Sequence, residues 1–76
     1  MNTANIREHM KVVGADRQLV GTVDHVEGDR IKLARNDPQA GGQHHYIPAD
    51  WVERVDDDEV CLRQDAQEAR RNWQTQ

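Results

Sequence analysis

Leu19–Arg35, LVGTVDHVEGDRIKLAR, carries the clearest apolar pattern in the chain. Val20, Val23 and Val26 mark one arm; Ile31 and Leu33 mark the other. Gly28-Asp29 stands between them, flanked by Glu27 and Arg30. A two-residue type II′ loop needs φ > 0 at its first central position, which glycine supplies. The stretch predicts a long β-hairpin. Its first arm spaces valines by three, and a regular strand would put Val20 and Val23 on opposite faces. A helix also gives that spacing, but Val, Thr and the mid-run Gly21 disfavour one. A strongly coiled strand is expected, with a bulge near Gly21 or Asp24.

The remaining segments are shorter. Met1–Glu8 is polar apart from Ile6 and is expected to be a loose lead-in. His9–Val13 predicts a strand, with Met10 and Val12 on one face. Gly14–Gln18 is a turn. Asn36–Gln43, NDPQAGGQ, has no periodicity and is expected to be the most mobile loop. His44–Pro48 is a strand that Pro48 ends, since proline removes a ladder donor. Ala49-Asp50 is a tight connection. Trp51–Val55 and Glu59–Arg63 are the last two strands, joined by Asp56-Asp57-Asp58. Cys61 is expected on the face opposite Val60 and Leu62, partly exposed.

Asp65 opens a helix, with Glu68 three residues on in a capping-box pattern. Ala66, Ala69 and Trp73 share its apolar face. So short a helix does not persist alone, so it must dock, with Trp73 as its anchor. Gln74–Gln76 should fray. The domain plan is a lead-in over residues 1–8, a β domain over 9–63, and a C-terminal helix and tail over 64–76. The fold class is mainly β: a strongly bent antiparallel sheet or small barrel of about six strands, with one short C-terminal helix.

The quoted segments VVGADRQLVGTVDHV, GDRIKL and YIPADWVERVDDDEVCL resemble the PRC-barrel superfamily. These are small β-barrels of the photosynthetic reaction-centre H subunit and of a ribosome maturation factor. Within that group, DPQAGGQHHYIPADWV is similar to short bacterial proteins of the DUF2171 type. The similarity covers about His9–Leu62. It implies a barrel used for interaction, with no established chemistry. The reaction-centre and ribosomal roles do not carry over, because the matching membrane helix and N-terminal domain are not in this sequence.

Composition narrows the chemistry. The chain has 76 residues, no Phe, two Trp and one Tyr, so its core is lean. A domain this small buries only roughly 60% of its unfolded surface, and self-association is a common remedy. Fourteen acidic against ten basic residues give a net charge of −4, which argues against direct nucleic-acid contact. No stretch approaches a membrane span and no basic-then-apolar leader opens the sequence, so a cytoplasmic protein is expected. Without serine, a Ser-His-Asp hydrolase is excluded. Gly41-Gly42 lacks the residues of a phosphate loop. The single Cys61 has no lysine beside it to activate a thiolate.

His44 and His45 are adjacent and should point to opposite faces of a strand, so they do not readily share one metal. His9 and His25 add no zinc-type spacing. The Asp56–Asp58 run is a solvated turn without the ligand spacing of a calcium loop. The expectation is no enzyme activity, no cofactor and no metal. It is instead an interaction or scaffold module, forming a homodimer and offering a surface to an unidentified protein partner. The candidate interaction residues are His44, His45, Tyr46, Asp50, Trp51 and Trp73. Two alternatives stand beside it: a ligand- or metal-responsive sensor using His44 and His45, and an adaptor to ribosome or RNA-processing machinery.

Overall fold

The computed structural model describes residues 4–75. Seven strands make one mixed sheet: β1 (Lys11–Val13), β2 (Leu19–Glu27), β3 (Arg30–Leu33), β4 (His45–Pro48), β5 (Val52–Val55), β6 (Glu59–Leu62) and β7 (Gln74–Thr75). One helix, α1 (Ala66–Asn72), lies between β6 and β7. The order across the sheet is β5-β6-β1-β2-β3-β4-β7. Neighbours run antiparallel except β1 and β6, which are parallel with Val12 opposite Val60. The sheet is bent around its core but does not close into a barrel.

The hairpin forms as its residues predict. Glu27 pairs with Arg30 across Gly28-Asp29, and Gly28 has φ of 62°. Two register shifts explain the three-residue spacing of β2. One opposes Val13 to Leu19 while Val12 opposes Gly21, leaving Val20 as the extra residue. The other skips Asp24, between Val23 and His25. A bulge bends and twists its strand, and here the bulges bring Val20 and Val23 into one interior. Val12, Ile31, Leu33, Ile47, Val52, Val60 and Leu62 fill the rest of that interior, with Ala66 and Ala69 from the helix.

Five expectations change. The mainly β, bent fold with one short C-terminal helix is as expected, but the sheet has seven strands rather than about six, and one pair of them is parallel. The tail does not fray at Gln74–Thr75: His45 and Tyr46 of β4 pair with it as β7, while Gln76 lies outside the described residues. Within the expected lead-in, Ile6 is buried in the core and the Arg7 N–H meets the Met10 sulfur at 3.0 Å; residues 1–3 lie outside the described region. Strand β1 begins only at Lys11, because His9 turns the chain with φ of 74° and donates its N–H to the Val23 carbonyl. The loop over residues 36–43 contains a turn of 3₁₀ helix, Pro38–Ala40, and is tied down by Thr22 to Asp37 (3.2 Å) and Gln39 to the Leu19 carbonyl (3.5 Å).

Helix α1 starts where its cap dictates. The Asp65 carboxylate accepts from the Glu68 N–H at 2.8 Å, satisfying one donor of the first turn. Glu68 does not reach back to close the box; it turns forward to Arg71 and Asn72. The helix docks on its own sheet. Asp16 accepts from the Ala66 N–H, Ala15 donates to the Gln64 carbonyl, and Arg70 donates to the Leu19 carbonyl.

Gly14 sits beneath that docking point. A Cβ there would lie 2.7 Å from the Asp65 carbonyl carbon and would also strike the Ala66 nitrogen. Gly28, by contrast, has open space but a positive φ. Gly14→Ala should therefore cost about 2–3 kcal/mol through backbone overpacking. Gly28→Val should cost more than about 1 kcal/mol through conformational strain alone. Chemical denaturation checks both; a Gly14→Ala midpoint equal to wild type would mean the helix seats elsewhere.

Candidate functional site

Six residues were the candidates, and the structure divides them. His45 and Trp73 meet face to face, with ring centroids 3.8 Å apart and planes inclined by 10°. His45 is buried, and both its ring nitrogens are engaged: Nε2 with the Ala40 carbonyl at 2.8 Å and Nδ1 with the Thr75 hydroxyl at 2.9 Å. A carbonyl only accepts, so the neutral ring carries its proton on Nε2, and Nδ1 accepts from Thr75. His44 uses the other arrangement. Its Nδ1 donates to the Leu33 carbonyl at 2.9 Å.

The other aromatics also serve the fold. Tyr46 is buried under the Arg30 guanidinium, which lies 4.2 Å from the ring centroid; a cation over an aromatic face is attracted by the ring quadrupole. Trp51 ends a 3₁₀ turn, Ala49–Trp51, and packs partly buried against the core. Asp50 is exposed, and its backbone carbonyl accepts from Arg63 at 2.6 Å. His45, Tyr46 and Trp73 therefore cluster at the β4–β7 end of the sheet. Asp50 and Trp51 lie beyond Pro48, at the far end of β4.

The described histidines gather no metal ligands. The grouping that does emerge is Asp56, Glu59 and Cys61, whose ligand atoms all lie within 4.8 Å of one another. Guanidinium groups already hold these atoms. Arg54 Nε is 3.4 Å from Asp56, and Arg17 lies 3.6 Å from Glu59 and 3.7 Å from the Cys61 sulfur. Cys61 is also buried, against the expectation of partial exposure, because the Gly14–Gln18 turn and Arg17 cover the outer face of β6. Burial pushes its thiol above the ordinary value of 9.0; nearby Arg54 and Arg17 oppose the shift, and Asp56 and Glu59 add to it. A metal needs the thiolate, so this cluster fits an ion poorly.

A hollow of about 450 Å³ is lined by Asn5, Arg7, Val55, Asp56 and Asp57, none of them a candidate residue. Arginines 17, 54 and 63 were not singled out by sequence reasoning. Strand alternation alone could place Arg54 and Arg63 near each other, but nothing local joins them to Arg17.

The fold and these contacts define a small, bent, mixed-sheet protein whose buried histidine and tyrosine stabilise its own structure. Residues 6–70 match the family described as "Uncharacterized protein conserved in bacteria (DUF2171)", and the chain belongs to that family. A comparison with curated proteins finds no match.

Two outcomes follow from this geometry. His45→Ala removes the stack and both hydrogen bonds, so stability should fall by about 2–3 kcal/mol, and the amides of Gln74 and Thr75 should exchange faster with solvent. Unchanged exchange in β7 would show that His45 does not hold the strand. The second concerns pH. A thiol whose folded value is raised keeps its proton in the folded state after the unfolded chain has lost it. Its contribution is complete below the ordinary value and is lost as pH rises through the folded one. The thermal midpoint of wild type should therefore fall relative to Cys61→Ala as pH rises above the ordinary thiol value of 9.0; parallel curves would contradict it.

Proposed function

We propose that this protein is a non-enzymatic interaction or scaffold module of the PRC-barrel kind, and that it associates with itself. The observation that carries this reading is the open sheet. Among the described residues, strands β5 and β7 each have a neighbour on one side only. An unpaired edge is a template for another strand, and a 76-residue chain with no Phe gains much from covering more apolar surface. Trp51 and Trp73 remain partly exposed, and tryptophan is enriched among residues that dominate interfaces. A symmetric pair is the commonest closed assembly.

Trp73 changes its role in this proposal. Its indole packs on His45 of the same chain, so it contributes its outer face to a contact rather than filling a neighbour's pocket. The sensor alternative draws no support from His45, whose nitrogens are both engaged. The RNA-machinery alternative rests on resemblance alone, against a net charge of −4.

Sedimentation equilibrium tests the proposal. Between about 1 and 100 μM, where mass action favours association, the mass should rise toward twice 8.8 kDa. Amide exchange in Val52–Val55 or Gln74–Thr75 should slow over the same range. A single monomeric species throughout would overturn self-association. Zinc binding that saturates and disappears in His44→Ala would instead favour the sensor.

A further inference from the structure

We propose that the hollow between the Gly14–Gln18 turn, β5 and β6 binds a small oxyanion of the phosphate class. It encloses about 250 Å³, below the roughly 300 Å³ at which drug-sized pockets begin, so it suits a compact ligand. Arg17, Arg54 and Arg63 line it, with Glu53 as the one carboxylate in the lining. A chain of net charge −4 thus turns three of its ten basic side chains onto one small cavity. They come from three separate segments.

Arg54 and Arg63 keep donors free, whereas both terminal nitrogens of Arg17 are engaged, Nη2 with Glu59 and Nη1 with the Cys61 sulfur at 3.7 Å. Arg54 uses Nε for Asp56, at 3.4 Å. Arg63 uses Nε for Glu53, at 3.1 Å, and Nη1 for the Asp50 carbonyl. Arg17 reaches Glu59 at 3.6 Å. Both Nη groups of Arg54 and Nη2 of Arg63 make no hydrogen bond among the described residues. The side chains of all three arginines are more than half exposed, and exposed ion pairs of this kind contribute little. They can yield to a ligand that engages several forks at once. The planar guanidinium fork matches the oxygens of phosphate in a way a point charge cannot.

Cys61 and Leu62 complete the lining. A buried thiol that keeps its proton at neutral pH brings no negative charge against the ligand. The carboxylates of Asp56 and Glu59 do not line the hollow; they pair with Arg54 and Arg17, and Asp56 also lies 3.8 Å from the Cys61 sulfur.

Titration of the full chain with sodium phosphate tests the site, followed by ¹H–¹⁵N correlation spectra at constant ionic strength and pH 7.5. Saturable shifts are expected at Ala15, Arg17, Cys61 and Arg63, with Kd of about 1 mM or tighter. The Arg17→Gln/Arg54→Gln double variant should bind at least tenfold more weakly. Glu53→Gln removes the one lining carboxylate and should bind severalfold more tightly. Shifts that never saturate, or that are unaltered in the double variant, overturn the proposal. If the double variant misfolds, Glu53→Gln decides alone: unchanged or weaker binding overturns it. A parallel titration with ribose 5-phosphate separates the two sources of the anion. Tenfold tighter binding supports a phosphorylated small molecule; equal or weaker binding supports free phosphate.

Discussion

Strand β2 pairs with β1 through its first residues and with β3 through its last, and it must bend to do both. The bend comes from two extra residues, Val20 and Asp24. Each turns the pleat, so apolar residues three apart face one interior. Without the first, Val20 would leave the core; without the second, Val26 would. The strands on either side then curl around one set of small aliphatic side chains. A core of valine, isoleucine and leucine, with no Phe, fills so small a volume only if the sheet wraps it from several sides. Curvature replaces bulk.

The end of the chain packs on the sheet and adds its last edge strand. Helix α1 has seven residues, well below the length that holds together alone in water. It forms because Asp65 caps it, because Gly14 lets its first turn approach the backbone, and because Ala66 and Ala69 are small enough to press onto the core. Trp73 leaves the helix in extended conformation and lies flat on His45. The next two residues add to β4. A stacked aromatic pair contributes about 0.5–1.5 kcal/mol beyond its buried area. The two hydrogen bonds of His45 then fix Ala40 and Thr75 on either side of the ring. One imidazole therefore joins a loop, a strand and the chain end.

Much of this was legible where the signal is local. Gly28 marked its turn, the three-residue spacing of β2 marked the bulge at Asp24, and Asp65 marked the helix start. Contacts distant in sequence were not legible. Nothing near Lys11–Val13 announces a parallel partner nearly fifty residues away. Gln74-Thr75 has no apolar pattern, so its pairing depends wholly on the Trp73 stack that delivers it. The candidate site suffered from the same limit. His44, His45 and Tyr46 read as surface chemistry because they are polar and sit beside a glycine-rich loop. The ring nitrogens of the two histidines instead meet Leu33, Ala40 and Thr75, and Tyr46 lies under Arg30, partners that only the folded chain brings near. Cys61 was misplaced for a related reason: alternation pointed it outward, but the Gly14–Gln18 turn lies over that face.

The two ends of the sheet consequently carry different chemistry. Around β4 and β7, His45 and Tyr46 are buried, and both ring nitrogens of His45 are hydrogen-bonded within the fold. Changes there act first on stability, and any effect on binding follows from it. Around β5, β6 and the turn after β1, the polar residues are arginines and carboxylates in exposed pairs, Arg54 held at one point and Arg17 and Arg63 at two. Such pairs hold the side chains in place without consuming all their donors. Rearranging them leaves the core in place, because Val52, Val60 and Leu62 stay fully buried in it. A chain this small has few positions to spare from its core. Its exposed arginine pairs stand near the β5–β6 end of the strand order, and the histidines of β4 stand toward the other end.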